Sequence, residues 1–212
     1  MCVDTVRSVI RTALILLLAV PGPAPAEVTA PPTDPVTLRV YTSNGSGCPA
    51  GSTTVEQSPD NTSFQVTFTK YVAWVGPGAR PTDFRKNCQI SVLISVPDGY
   101  SYAIARVEYH GYAQLAACTS GLLRANFYSA GSSTPAVTPH PFAGPYDGKW
   151  EATDVTNSAW LIWSPCRSAR TVNLNTELRV TTADRSTPSS MAMHAPNGDA
   201  RTVYHYTWRR CG

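Results

Sequence analysis

From Val36 onward the hydrophobic and polar positions alternate with a period of two. Val36, Leu38 and Val40 have polar neighbours, as do Phe64, Val66 and Phe68; the longest run sets Ile90, Val92, Ile94 and Val96 against Gln89, Ser91, Leu93 and Ser95. Such alternation puts one set of side chains on a buried face and the other outside, as in a half-buried antiparallel strand. Further strands are expected at residues 100–112, 122–129, 159–163, 170–181 and 203–208. No long stretch repeats at the helical period with a cap at each end; short helical turns stay open, for instance around residues 113–117.

Turn residues punctuate these runs. Pro97-Asp98-Gly99 is a hairpin signal, because Asp-Gly tolerates the positive φ of a tight turn, and Asn44-Gly45, Gly76-Pro77-Gly78 and Asp147-Gly148 read as turns likewise. Residues 184–199, mostly polar or small and including Asn197-Gly198, read as a long surface loop before the final strand. Short strands, regular turns, 18 prolines, 14 glycines and few charges together predict an all-β chain. The expected architecture is an antiparallel β-sandwich or jelly roll stabilised by disulfides.

The first 26 residues follow a different pattern. Arg7 and Arg11 precede an apolar run from Ala13 to Val20, and small residues end at Ala24-Pro25-Ala26. That is the layout of a secretory signal peptide cleaved after Ala26, and the apolar run is far short of the roughly 20 residues that span a bilayer. No cysteine stands where a lipid-modified protein would need one. The expected organisation is a signal peptide over residues 1–26, a flexible Pro-rich lead-in over 27–35, and a single domain over 36–212, secreted and free of the membrane after cleavage.

Cleavage removes Asp4, Arg7 and Arg11 from a total of 17 basic and 14 acidic residues, which leaves a nearly balanced chain. The remaining cations are spread thinly; the pairs Arg85-Lys86 and Arg209-Arg210 are too small to track a phosphate backbone, so nucleic acid is not an expected partner. Cys2 leaves with the signal, and Cys48, Cys88, Cys118, Cys166 and Cys211 remain, an odd number in an oxidising compartment. Sequence does not assign pairs. The preferred arrangement joins Cys48 to Cys88 and Cys166 to Cys211 and leaves Cys118 free.

Few constellations point to chemistry. Glu108 and His110 share a strand face and would suit a general base, or be a plain surface pair. Asp147, Glu151 and Asp154 gather around the expected turn holding Trp150, and two carboxylates beside an aromatic ring are the equipment of glycoside hydrolysis. No Gly-x-Ser-x-Gly elbow occurs, and Cys118 is the sole thiol candidate, with His110 eight positions away. No Cys-x-x-Cys or His-x-x-x-His spacing marks a metal site. Asp83 and Asp98 are loop carboxylates open to calcium, without a 12-residue ligand loop around them. No cofactor is expected. Asn44-Gly45-Ser46 and Asn61-Thr62-Ser63 fit the glycosylation sequon.

The aromatic residues are more suggestive. Trp74, Trp150, Trp160, Trp163 and Trp208, with ten tyrosines, offer flat faces for a sugar ring or a protein partner, or alternatively fill a core. On a strand at 159–163, Trp160 and Trp163 fall on opposite faces. Trp150 and Trp163 are the binding candidates.

Several stretches in combination carry a family resemblance: Gly45-Ser46-Gly47-Cys48-Pro49, Ser58-Pro59-Asp60, Arg85-Lys86-Asn87-Cys88, Tyr109-His110-Gly111-Tyr112 and Trp163-Ser164-Pro165-Cys166. The chain resembles a family of small secreted proteins from actinobacteria and fungi known as a domain of unknown function (the 4360 type), over roughly Val36 to Cys211. The resemblance implies export and a compact, cysteine-bridged domain without established activity. Cys48, Cys88 and Cys166 match the recurring motifs, with Cys211 near the chain end, and Cys118 falls outside them.

Three functional classes follow. The first is a non-catalytic secreted module binding an extracellular polysaccharide or a protein. The second is a secreted glycan hydrolase using Asp147, Glu151 or Glu108. The third is an inhibitor or effector presenting rigid loops near Gly76 to Pro81 and Thr187 to Asn197.

Overall fold

The computed structural model describes residues 28–132, 137–193 and 200–212. The expected signal peptide lies outside the described residues, as does Asn197-Gly198.

Two antiparallel sheets pack face to face, which makes the chain a β-sandwich. The smaller sheet runs β2 (Thr37–Asn44), β6 (Arg85–Ser95), β11 (Arg170–Thr182), β8 (Thr119–Ser129) and β9 (Thr138–Ala143). The larger runs β3 (Thr53–Gln57), β4 (Ser63–Phe68), β13 (Arg201–Arg210) and β7 (Tyr100–Leu115). It continues through β12 (Ser189–Ala192) and β5 (Val72–Val75), while β10 (Tyr146–Val155) lies along the other side of β7 and β1 (Val28–Thr29) beside β13.

Alternation decides which side chains enter the core. On β6, Ile90, Val92 and Ile94 are buried, and on β4 so are Phe64, Val66 and Phe68. Burial at about 25 cal/mol per Å² of apolar surface is the principal stabilising force, and aromatic contacts add orientation, as where Phe64 stacks on Tyr204 at 4.7 Å.

Several local expectations yield to long-range pairing. Pro97-Asp98-Gly99 does form a turn, with Gly99 at φ 81°, yet it closes no hairpin: β6 and β7 belong to different sheets and the chain crosses between them there. Asp147-Gly148 is not a turn but lies inside β10, where Asp147 faces Gln114 and Gly148 faces Ala113, because ten consecutive rungs with β7 outweigh local turn propensity. The helical turn expected around 113–117 is instead the end of β7, at Leu115, and the start of the turn that follows it. The expected strand at 159–163 is a 3-10 turn over Ser158–Trp160 followed by irregular chain, started by Asn157, whose side chain accepts a hydrogen bond from the Ala159 amide. The loop expected at 184–199 contains β12, and β9 escapes an alternation search because Pro139 and Pro141 sit in it, residues suited to an edge strand.

The stretch expected as a flexible lead-in is held. β1 pairs with β13, and Asn61, at φ 56°, donates from Nδ2 to the carbonyls of Pro32 and Asp34 and accepts from the Val36 amide. These bonds bury Asn61, so the second sequon offers its amide to no glycan in the folded chain.

Two disulfides are present, Cys48–Cys88 and Cys166–Cys211, and Cys118 is an exposed free thiol at the turn between β7 and β8. The loop leading to β6 is fastened by Asp83, which accepts from the Arg80 amide and guanidinium and from Lys86 Nζ. Those bonds, Arg80's first and Lys86's next, hold the Asp83 carboxyl below the ordinary carboxylate range. A carboxyl depressed in the folded state stabilises at pH values above its unfolded pKa of about 3.9 and loses that contribution as pH falls through its folded value. Asp83→Asn is therefore expected to unfold at lower urea than wild type at pH 7, with the gap narrowing as pH falls below about 4; a gap constant across that range counts against the assignment.

Candidate functional site

β9 and β10 are edge strands, one in each sheet, joined by the turn at Gly144-Pro145. Their inward side chains meet across the gap between the layers. Next to the turn, Phe142 packs on Trp150 with ring centroids 5.3 Å apart. One step farther along, His140 Nε2 lies 3.0 Å from Asp154 Oδ1, while Asp154 Oδ2 accepts from the Tyr109 hydroxyl at 3.0 Å. The carboxylate accepts here, so His140 donates from Nε2. Beyond this bridge the layers part into a cleft of about 350 Å³.

The cleft floor is made by Tyr102 and Ile104 of β7, Phe127 of β8 and Val172 of β11. Its lip carries Trp160 and Ile162, and Val155 lies on the β10 side. Trp160 is 76% exposed, Val155 74% and Ile162 45%, an apolar group held open to solvent. The segment bearing Trp160 is fixed at both ends: Thr156 donates its amide to the Ala105 carbonyl, Ser164 exchanges hydrogen bonds with Tyr102, and Cys166 is bridged to Cys211.

Tyr102 is the unusual residue of the floor. It is 3% exposed, and its hydroxyl has no hydrogen-bond partner among the described residues. Burial pushes its pKa up, with Arg170 opposing only in part, and burial also raises Tyr109, so both remain protonated donors at physiological pH.

The tryptophans singled out from sequence lie elsewhere. Trp150 is 1% exposed, packed beneath the backbone of Gly111, and presents no face to a ligand; a register that pairs it with Gly111 on β7 turns it inward. Trp163 is half-buried, with the Arg209 guanidinium 4.5 Å from its ring centroid, and is not part of the cleft lining. The exposed indole belongs to Trp160, which the strand expected at 159–163 could not distinguish from Trp163. An Asn-Ser pair preceding it, Asn157-Ser158, was the available sign of a helical turn there.

The carboxylates expected to act together are separated by the sheet. Asp147 and Glu151 lie on the outer face of β10, where Asp147 accepts from the Tyr112 hydroxyl and Glu151 sits 3.3 Å from His110 Nδ1, while Asp154 points inward. Glu108 pairs with His205 Nε2 at 3.0 Å and with Arg106. The His205 hydrogen bond leads in lowering the Glu108 pKa, the opposite of what a glycosidase acid requires. The described part of the second candidate inhibitory loop neighbours the first: β5 pairs with β12, and Gly76, at φ 136°, abuts Pro188, while residues 194–197 of the second loop lie outside the described residues. Asp83 has spent its oxygens on Arg80 and Lys86, and no group of three or more His, Cys, Asp or Glu side chains is arranged for a metal among the described residues.

Residues 34–211 match the family model described as Domain of unknown function (DUF4360). The chain belongs to this family. A relative from Arthroderma benhamiae, named "Uncharacterized secreted protein", is 30% identical over 182 residues, covering 86% of this chain and 74% of its own. Among solved structures, TmCBM61 in complex with β-1,4-galactotriose overlaps 84% of this chain and 90% of its own at 9% identity and a TM-score of 0.28. The enzymatically active domain of bacteriophage CBA120 tailspike protein 4 overlaps 83% of this chain and 19% of its own at 10% identity and a TM-score of 0.24. At those scores the likenesses carry no argument about ligand or activity. No helix among the described residues is long and apolar enough to cross a membrane.

Proposed function

We propose that this DUF4360 protein is exported and acts outside the cell as a non-catalytic binding module, holding an extracellular polysaccharide or protein ligand in the cleft between β9 and β10. The observation that carries the reading is Trp160, its indole 76% exposed at the lip of a cleft in which His140 and Asp154 are held together by a hydrogen bond. An apolar platform beside a few convergent polar groups is the usual composition of a ligand site, and a volume of about 350 Å³ falls at the small end of the usual range of roughly 300–1,000 Å³. Export is supported by the secreted relative, by the signal-like first 26 residues and by two disulfides, which suit an oxidising compartment. A binding role without turnover is supported by the carboxylates: Asp147 and Glu151 have partners other than each other, and Glu108 is held ionised.

The test is retention of purified protein on insoluble polysaccharides and on immobilised extracellular proteins. Trp160→Ala is expected to bind about tenfold more weakly, some 1.4 kcal/mol, with an unchanged unfolding midpoint, since an exposed side chain contributes little to the core. Equal retention of wild type and Trp160→Ala on every ligand that binds would sink the proposal, as would release of new reducing ends from a bound glycan.

A further inference from the structure

β10 presents an open strand edge. The Thr156 amide donates to the Ala105 carbonyl in the same register that pairs β10 with β7. Bonded pairs alternate along an antiparallel ladder, so the even-numbered residues of β10 bond to β7. Asp147, Lys149, Glu151, Thr153 and Val155 therefore direct their amides and carbonyls away from the sheet, and all are exposed. The Lys149 carbonyl accepts from the Tyr146 hydroxyl and keeps a second lone pair.

An unpaired edge is a template for another strand, and folded proteins blunt theirs. Among the described residues the other edges carry such devices. The Gly144 amide donates to the Thr119 carbonyl, which by the same alternation turns Pro139 and Pro141 of β9 outward, where neither has an amide hydrogen to offer. β2 is interrupted by a register shift between Val40 and Thr42 in its pairing with β6. β5 donates its Trp74 amide to the Asp83 carbonyl, and β3 has only 5 residues. β10 has 10 residues with neither a proline nor a bulge.

We infer that β10 is an interface between copies of this chain, pairing antiparallel with the β10 of a second copy about a two-fold axis and joining the two larger sheets. The charges along the edge identify the occupant. A two-fold pairing is self-complementary: if one residue stands opposite another, the reverse contact forms as well. In the register that overlaps β10 along nearly its whole length, Lys149 stands opposite Glu151 of the partner subunit and Asp147 opposite Thr153 of the partner subunit, each contact occurring twice. Opposite charges across a strand pair stabilise it, and like charges destabilise it. A slip of two residues in one direction sets Lys149 against itself and Asp147 against Glu151; the same slip in the other direction sets Glu151 against itself. A lone charge on an edge repels an incoming copy, whereas a charge of opposite sign two residues farther on turns that repulsion into a choice of register. Asp147 accepts from the Tyr112 hydroxyl and Glu151 lies beside His110, contacts that hold both carboxylates on the outer face next to the edge.

The experiment is sedimentation velocity on the protein purified from the medium of an expressing strain. Every sample carries Cys118→Ser, so that the exposed thiol cannot cross-link two copies. The protein is followed from about 1 µM to about 1 mM, because the pairing of two strand edges is a small interface and associates weakly. A reversible equilibrium between monomer and dimer is expected within that range. Lys149→Glu and Glu151→Lys each set like charges opposite each other twice, and each is expected to weaken dimerisation at least about tenfold with an unchanged unfolding midpoint. The Lys149→Glu/Glu151→Lys double variant exchanges the two charges and is expected to return to within about threefold of the parent, the non-additivity that a direct contact produces. Mixing the two single variants is expected to give a dimer that neither forms alone. A parent protein that stays monomeric at the highest concentration, single variants that dimerise as the parent does, or a double variant as weak as the singles overturns the inference.

Discussion

A Cys48→Ala/Cys88→Ala double variant is expected to lose about 4 kcal/mol of stability, the value the chain-entropy relation assigns to a closed loop of 40 residues. The bridge lies where the chain leaves β2 in the smaller sheet and crosses to β3 in the larger. Both sulfurs belong to buried residues, and the crossover they pin is tightly fitted: the Gly47 amide donates to the Asn87 carbonyl at 2.8 Å, and a Cβ on Gly47 would fall 2.2 Å from the Tyr71 ring. The alanine pair leaves that fit but releases the unfolded chain, so the loss appears in the unfolding free energy and not in the folded-state spectrum. Urea titration followed by tryptophan fluorescence reads it directly. A loss under about 1 kcal/mol would show that the hydrogen bonds of the crossover suffice and that the bridge constrains little. The second bridge answers to a different reagent concentration: Cys166 is exposed and Cys211 half-buried, so mild reductant opens Cys166–Cys211 first and loosens the segment that carries Trp160.

How far the sequence reaches can be seen strand by strand. β6, β8, β11 and β13 are legible because each buries alternate residues over a substantial part of its length, and the period of two is a local property. The allocation of strands to sheets is not local. Nothing near Pro97-Asp98-Gly99 distinguishes a turn that closes a hairpin from one that crosses between layers; that is decided by the partners of β6, which are β2 and β11. β10 shows the same limit. Its Asp147-Gly148 has strong turn chemistry, yet the pairing with β7 continues through both residues.

The site was less legible than the fold for a related reason. Its polar bridge needs His140 from a proline-interrupted edge strand and Asp154 from a segment that reads as turn, and neither position is conspicuous until β9 and β10 are set side by side. Tyr102 sits in a well-read strand, but that its hydroxyl lacks a partner is a fact of the packed interior. The aromatic surplus did point toward binding chemistry as a class. Assigning it to particular residues required knowing which tryptophan the sheet register turns inward.

Trp150→Ala is expected to destabilise by about 3–5 kcal/mol, the range for emptying a large aromatic site in a core that relaxes only in part. Three contacts set the size of the effect. The ring is 1% exposed, packs on Phe142 from the opposite sheet, and occupies space that exists only because residue 111 is glycine: a Cβ there would fall 2.3 Å from the Trp150 ring and 2.1 Å from the Ala192 carbonyl oxygen. The indole nitrogen has no hydrogen-bond partner among the described residues, so no polar interaction is lost with the ring and the cost is one of packing and apolar burial. Trp150→Phe should accordingly cost less than Trp150→Ala, since it restores most of the contact with Phe142. The two tryptophans then separate the structural from the functional contribution. At a temperature where both variants remain folded, Trp150→Ala should keep more ligand affinity than Trp160→Ala, whereas on heating Trp150→Ala should unfold well before Trp160→Ala. Thermal unfolding and calorimetric binding on the same two samples decide it, and a Trp150→Ala variant that is thermally normal yet fails to bind would restore Trp150 as a ligand contact.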